Sequence, residues 1–421
     1  SQENAYAILK TLVLDIGPRP MGSPAEQRAM GFAVSKFNEY GCDTSYVMPM
    51  TVASNVNTNS GVAIGVKKGK SERIIVIGGH IDTTPNAPGA NDDGSGTACV
   101  IELARVLCKR ENESTVLFCC WGGEEQGLRG SEYFVKNLPL SFGHAYGMNE
   151  GGVGVRDLFG PGKFFLLNLW EKGPLWLKLS ASGRAGHGSR PSDRDAPARL
   201  ARAMARVAEH RSPAKMTDPV REMLRVLFAQ GRIDLDPDAL TGGPEDAAAL
   251  EAFAKRYPET DPLLRNTFAI TTLSAGFKPN VIPMRAEGTI DCRILPGEDP
   301  SQVEAQVREM VREFDVAVEA VFSEKPSGSP RGPLFDAMEE AIRTVHPDAV
   351  VLPYMSTGFT DSRFFRAAGV ETYGLMPLLL ERGDVGRIHG VDEKIPVDGI
   401  AEMTAVIAAL IERWNAPEGI R

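Results

Sequence analysis

The stretch RIIVIGGHID, residues 73–82, constrains the fold more than any other part of the chain. Ile74 to Ile77 form a short β-branched apolar run bounded by charge on one side and by Gly78 and Gly79 on the other. Such a run reads as a buried strand rather than a helix. His80 and Asp82 follow at its carboxyl end, the end at which open α/β sheets bind ligands.

Around this strand the pattern alternates. A helix is expected over Ala5 to Leu14, then the turn IGPRPMGSP, a helix over Thr97 to Arg110, a strand over Thr115 to Trp121 and a helix over Leu128 to Leu138. Strand–helix alternation predicts a largely parallel or mixed sheet covered on both faces. From Leu175 the rhythm becomes LWLKLSA, a helix over Ala196 to His210, TFAITTLSA, MRAEGTIDCRI, a helix over Ser301 to Phe314 and VAVEAVF. This βαββαβ order is the ferredoxin-like pattern. The residues between its first helix and second strand, Pro213 to Asn266, read as extra helices. The fold class is therefore α/β: a main domain of residues 1–174 and 326–421, interrupted by an α+β insertion of residues 175–325. An amphipathic helix from about Asp398 to Trp414 closes the chain.

At 421 residues the chain exceeds one ordinary core. Its 43% apolar and 24% charged residues are those of a globular protein. No apolar run approaches a membrane span. A net charge of −9 argues against nucleic acid as a partner. The six cysteines lack C-x-x-C spacing and read as buried thiols. No basic and apolar leader precedes Ser1, which leaves a cytoplasmic location and export with a removed leader both open.

A divalent metal that stays reactive at neutral pH needs imidazole and carboxylate ligands and one open position. Five stretches offer them at strand-to-loop junctions: His80 with Asp82, Asp92 and Asp93 in GANDDGSG, Glu124 and Glu125 in WGGEEQG, Glu150 in MNEGG, and His389 in RIHGVDEKIP. Each has a plain structural alternative. The Asp pair suits a helix cap, and a His beside an Asp is commonly structural. Two adjacent carboxylates after a buried strand, however, are costly without a neutralising cation. His144, His210 and His346 have no acidic partner at motif spacing and read as structural.

GGHID, GANDDGSG and WGGEEQGLRGSEYF, with IGPRPMGSP before them, resemble the di-zinc aminopeptidases that include bacterial leucyl aminopeptidases. From about Tyr146 onward, MNEGG, GRAGHGSRP, PNVIP, DCRILPG, GFTDSRFF and HGVDEKIP are similar to the aminoacylase and carboxypeptidase G family, which includes succinyl-diaminopimelate desuccinylase. The chain therefore joins two family patterns, as a fusion or chimera does. The resemblance implies a three-layer α/β/α zinc-exopeptidase-like domain and two zinc ions, exchangeable for cobalt or manganese. It assigns His80 and Glu150 to one ion, Glu125 and His389 to the other, and Asp92 to the bridge, with a cis peptide between Asp92 and Asp93. Asp82 orients His80, and Glu124 is the general base.

In the insertion, which the resemblance makes a lid and dimerisation domain of a homodimer, His187 stabilises the oxyanion in the partner's active site. Asn280 and Arg293 contact substrate, and Thr360 and Arg363 of the main domain are further substrate contacts. The ordinary alternatives are a turn for NVIP and a surface ion pair for Arg293. The expected reaction is cleavage of the amide bond of a small N-acyl amino acid or short peptide. Removal of N-terminal residues from peptides is the alternative. A non-catalytic binding protein retaining the fold is less attractive, because each matched ligand position holds a competent residue. The short TTPNAPGAN, residues 83–91, is aminopeptidase-like, whereas a lid above the site restricts long peptides.

Overall fold

A computed structural model of the chain describes residues 1–50, 59–138 and 145–414. His144 lies outside the described residues. The chain forms two compact units: residues 1–169, 328–354 and 360–421 make the first, and residues 170–327 and 355–359 the second.

The first unit is a mixed sheet with helices packed on it. In chain order its opening elements are α1 (Gln2–Lys10), α2 (Pro24–Tyr40), β1 (Thr44–Met50), β2 (Ser60–Lys67), β3 (Ile74–His80), α3 (Gly94–Leu107), β4 (Thr115–Trp121), α4 (Arg129–Asn137) and β5 (Ala145–Asn149). β3 runs parallel to both β4 and β5, and β5 runs parallel to the strand Glu371–Gly374. β1 and β2 extend the sheet antiparallel beyond β4. A central strand with neighbours on both sides must be apolar throughout, and Ile75 to His80 are all buried. Val62, Ile64, Val76, Leu117, Trp121, Phe134 and Phe365 share one core cluster. α3 packs on β3 and also on the helix Gly399–Trp414. Among the described residues no helix is long and apolar enough to cross a membrane.

One helix differs from its sequence reading. The α-helix expected over Ala5 to Leu14 ends at Lys10 and continues as a π-type turn, Thr11–Ile16. The cause is local: Gly17 turns left-handed at φ 80° and donates to the Leu12 carbonyl, which also accepts from the Arg19 guanidinium at 2.8 Å.

The second unit is an antiparallel four-stranded sheet in the order Thr267–Ala275, Arg285–Ile294, Gly173–Ser182, Ala317–Ser323. The helices Ala196–Glu209 and Pro300–Val311 pack on it, which is the ferredoxin-like arrangement. Alternation is clean on Arg285–Ile294, whose Ala286, Ile290, Cys292 and Ile294 enter the core. Two helices, Asp218–Ala229 and Pro244–Arg256, occupy the stretch expected to add them.

Candidate metal centre

The two glycines before His80 are required by close approach. A Cβ on Gly78 would fall 2.4 Å from the Trp121 indole, and one on Gly79 would fall 2.6 Å from an Asp93 carboxylate oxygen. His80 therefore ends β3 in a buried position, with 1% of its surface exposed. Its Nε2 lies 2.8 Å from Asp92 Oδ1 and 3.6 Å from Glu150 Oε2. On the other side Nδ1 lies 3.1 Å from the main-chain carbonyl of Asp82 and 3.7 Å from its Oδ1. A carbonyl only accepts, so Nδ1 carries a proton, while Nε2 faces the carboxylates, where a bound cation would take its lone pair. The Asp82 carboxylate does a second job, accepting from the amides of Glu124 at 3.0 Å and Glu125 at 3.2 Å.

The adjacent aspartates divide their labour, across a cis peptide. Asp93 caps α3 by accepting from Gly96, and accepts from the His80 amide at 2.9 Å. Asp92 is left to face the imidazoles: Oδ1 meets His80, and Oδ2 meets His389 Nε2 at 2.9 Å. His389 also lies 3.3 Å from Glu125 Oε1. Two groups of three ligand atoms, His80, Asp92 and Glu125, and His80, Asp93 and Glu150, each fall within 4.8 Å of one another. In the second group Asp93 is the weaker donor, because backbone amides already hold both its oxygens. Ligands of a tetrahedral zinc sit about 3.3 Å apart, so imidazole and carboxylate groups at these separations fit the ion.

Electrostatics makes the same case for a cation. Burial, with Asp361, Asp82 and Asp92 nearby, pushes Glu124 well above the usual carboxylate range although His80 opposes it. Burial also pushes Glu150 up, with Glu124 and Asp92 adding to the effect. His389 is pushed up to about 10 by its hydrogen bonds to Asp92 and Glu125. A pocket of crowded carboxylates in which imidazoles are the facing cations is a pocket for a dication.

Several residues that support this centre carried no sequence signal of their own. Glu393 accepts from three successive backbone amides, those of Ala90 at 3.1 Å, Asn91 at 3.0 Å and Asp92 at 2.6 Å. It thereby fastens the Asp92 loop to the segment that bears His389. Arg19 is fully buried, donates to the carbonyls of Leu12, Gly17, Ile81 and Pro88, and is lowered to about 10 by burial against the attraction of Asp82, Glu393 and Asp93. Glu26 accepts from the Gly22 amide at 2.6 Å and the Ser60 hydroxyl at 2.9 Å, and burial raises it to about 8. The signal for Glu393 was its place four residues after His389 in HGVDEK; Arg19 and Glu26 stand in and just after a turn that invited no chemical reading.

Thr360 and Arg363 belong to the same unit, both nearly buried at the start of the helix Ser362–Ala367, where Thr360 packs near Gly151, the neighbour of Glu150. His187, Asn280 and Arg293 belong to the second unit. There His187 pairs with Val281 across a short ladder, and Gly188 donates to the Asn280 carbonyl, so His187 and Asn280 are neighbours and both exposed. Arg293 gives its Nε and Nη2 to Asp291, both at 2.8 Å, and stacks over Phe359. Its planar fork is thus engaged within the unit, and only Nη1 is left without a hydrogen bond. Among the other histidines, His346 packs on Phe165 and faces Glu402 at 3.8 Å, an acidic partner that sequence spacing did not reveal, and His210 packs on Phe268.

Known proteins carry the same two patterns. Residues 62–154 match the model of peptidase family M28, and residues 169–319 match the peptidase dimerisation domain. The chain is 36% identical over 183 residues to a probable zinc metalloprotease of Leptosphaeria maculans, covering 39% of this chain and 41% of that protein. The chain is a zinc metallohydrolase, similar to zinc peptidases over these two stretches. This metallohydrolase is also 25% identical over 397 residues to probable carboxypeptidase S-like 2 of Dictyostelium discoideum, covering 82% of this chain and 73% of that one. It is 29% identical over 339 residues to the human N-fatty-acyl-amino acid synthase/hydrolase PM20D1, covering 78% and 67%. An alignment over 78% of the chain must cross residues 138–146, so one relative aligns on both sides of that boundary. In fold it is similar to the M20 family metallo-carboxypeptidase Sso-CP2 of Sulfolobus solfataricus, with a TM-score of 0.72, 17% identity and coverage of 97% and 98%.

Proposed function

We propose that the metallohydrolase binds two zinc ions, replaceable by cobalt or manganese, and cleaves the amide bond of small N-acyl amino acids or short peptides. His80, Glu150 and Asp92 hold one ion; Asp92, Glu125 and His389 hold the other. The observation that carries this reading is the Asp92 carboxylate, whose two oxygens each face a different imidazole. Zinc there supplies Lewis acidity to the scissile carbonyl and makes water acidic enough to attack at neutral pH.

The chain's own groups supply proton transfer and alignment. Glu124 receives the proton of the attacking water and returns it to the leaving amine, a role suited to a carboxyl whose proton affinity burial has raised. Asp82 aligns Glu124 and Glu125 through their amides and sets the His80 tautomer. His187 is assigned to oxyanion stabilisation in a partner subunit of a homodimer. Asn280, Arg293 through its remaining Nη1, Thr360 and Arg363 are assigned to substrate contact. The dimerisation-domain match supports the homodimer. The names of the human and Dictyostelium relatives support an acylated amino acid or a peptide carboxyl end as the substrate.

A second reading, aminopeptidase, rests on the M28 match over residues 62–154, which contains every proposed ligand except His389. Hydrolysis of a series of N-acyl-leucines and of leucine p-nitroanilide by the zinc-loaded protein separates the two, each run with and without a chelator. Chelator-sensitive cleavage of the acylated series alone supports the proposal; cleavage of the anilide alone assigns the aminopeptidase reading; cleavage of neither removes both.

A further inference from the structure

Away from the metal centre, the first unit brings two thiols together. Cys42 follows Gly41 at the carboxyl end of α2, and Cys108 is the carboxyl cap of α3. Their sulfurs are 2.8 Å apart, although 66 positions separate them in sequence. Neither backbone is free to part them. The Cys42 amide donates to the Phe37 carbonyl at 3.1 Å behind Gly41, which is left-handed at φ 88°, and the Cys108 amide donates to the Ala104 carbonyl at 2.9 Å. Next door, the Asp43 amide bonds the Val66 carbonyl and its carboxylate bonds the Lys68 amide, which anchors the Cys42 turn to β2.

The other four cysteines sit in a different setting. Cys99, Cys119, Cys120 and Cys292 are almost completely buried in the cores of the two units, and burial holds each thiol above its ordinary range. Cys42 is half-buried, within reach of a small molecule. Its hydrogen bond makes Cys108 the more acidic partner of the pair, with Lys67 adding to the effect.

We infer that Cys42 and Cys108 form a reversible disulfide that fastens the carboxyl ends of α2 and α3, with a low-molecular-weight disulfide such as oxidised glutathione as the oxidant. Forming the S–S bond from the present separation needs a movement of only about 0.8 Å. In the first exchange the Cys42 sulfur bonds to one sulfur of the small disulfide, releasing one small thiol that takes the Cys42 proton. In the second, the Cys108 thiolate attacks the Cys42 sulfur, and the second small thiol leaves with the Cys108 proton. Two protein thiols are oxidised and one small disulfide is reduced to two thiols. The amino ends of the same helices carry Glu26 and Asp93, so the bridge fixes the far ends of two helices that support the metal centre.

The test is a thiol count on the full chain, unfolded after incubation with oxidised glutathione at pH 8. The six free thiols are expected to fall to four, six minus the pair, with one disulfide-linked peptide joining residues 42 and 108. The thermal midpoint is expected to rise by roughly 5 °C and to return with dithiothreitol, because the bond restricts a long loop in the unfolded chain. C42S and C108S should each lose this response and retain five thiols. A count that stays at six, a stable glutathione adduct on Cys42, or a bridge mapped to other cysteines would each overturn the inference. The count on the unsubstituted protein decides the matter even if a serine variant fails to fold.

Discussion

Asp92 and His389, 297 positions apart in sequence (389 − 92), meet with Oδ2 and Nε2 2.9 Å apart, while the second oxygen of the same carboxylate meets His80. Removing either neighbour should therefore remove one ion and spare the other. H389A is expected to reduce zinc from two equivalents to about one, and D92N to weaken both sites. Elemental analysis after gel filtration measures this; full retention of both ions in H389A would exclude it as a ligand.

Glu124 faces the same pocket but is assigned to proton transfer rather than to metal. E124Q preserves its shape, so the zinc content should be unchanged while kcat falls by roughly 10²–10⁴-fold. Turnover within tenfold of the parent protein would refute the role.

Glu393 touches no proposed ligand side chain, yet it holds three amides of the loop that ends in Asp92. Groups that orient metal ligands typically contribute 10–100-fold to affinity. E393Q is expected to release zinc to a competing chelator at a concentration lower by that factor, and to broaden the visible spectrum of the cobalt form. An unchanged chelator titration would reduce Glu393 to a structural cap.

Glu26 yields a pH prediction whose sign follows from its raised value. Between about 4.5 and about 8 the folded state holds a proton that the unfolded state has released. Stability from this group is present at acid pH and declines as pH rises through that window, by at most about 1.4 kcal/mol per pH unit. E26Q should flatten this slope in denaturant titrations between pH 5 and 8; an unaltered slope would show that the carboxyl ionises normally.

Much of this was legible in one dimension, for physical reasons. The strand at Ile74 is apolar throughout because it is buried on both faces, so its identity and its polar carboxyl end are written in adjacent residues. The βαββαβ order of the second unit was legible too, since strand and helix periods differ, even across the long stretch Pro213 to Asn266. The π-type turn at Thr11–Ile16 was not, because it depends on Gly17 and the Arg19 guanidinium both donating to the Leu12 carbonyl, which apolar periodicity does not encode.

The sequence by itself determined which residues are competent: a histidine at a strand end, paired acids after glycines, a glutamate and a histidine in later loops. Only the tertiary structure decided how they share the work. Asp92 and Asp93 are identical in type and adjacent, and nothing local distinguishes them; the α3 amino end and the His80 amide claim Asp93 and free Asp92 for the imidazoles. In the same way Arg293 has its fork engaged by Asp291, and Glu393 becomes a clamp because Ala90 to Asp92 arrive beside it. Local pattern fixes chemical type, whereas hydrogen-bond partners are assigned by residues distant in sequence, and their positions exist only once the chain has packed.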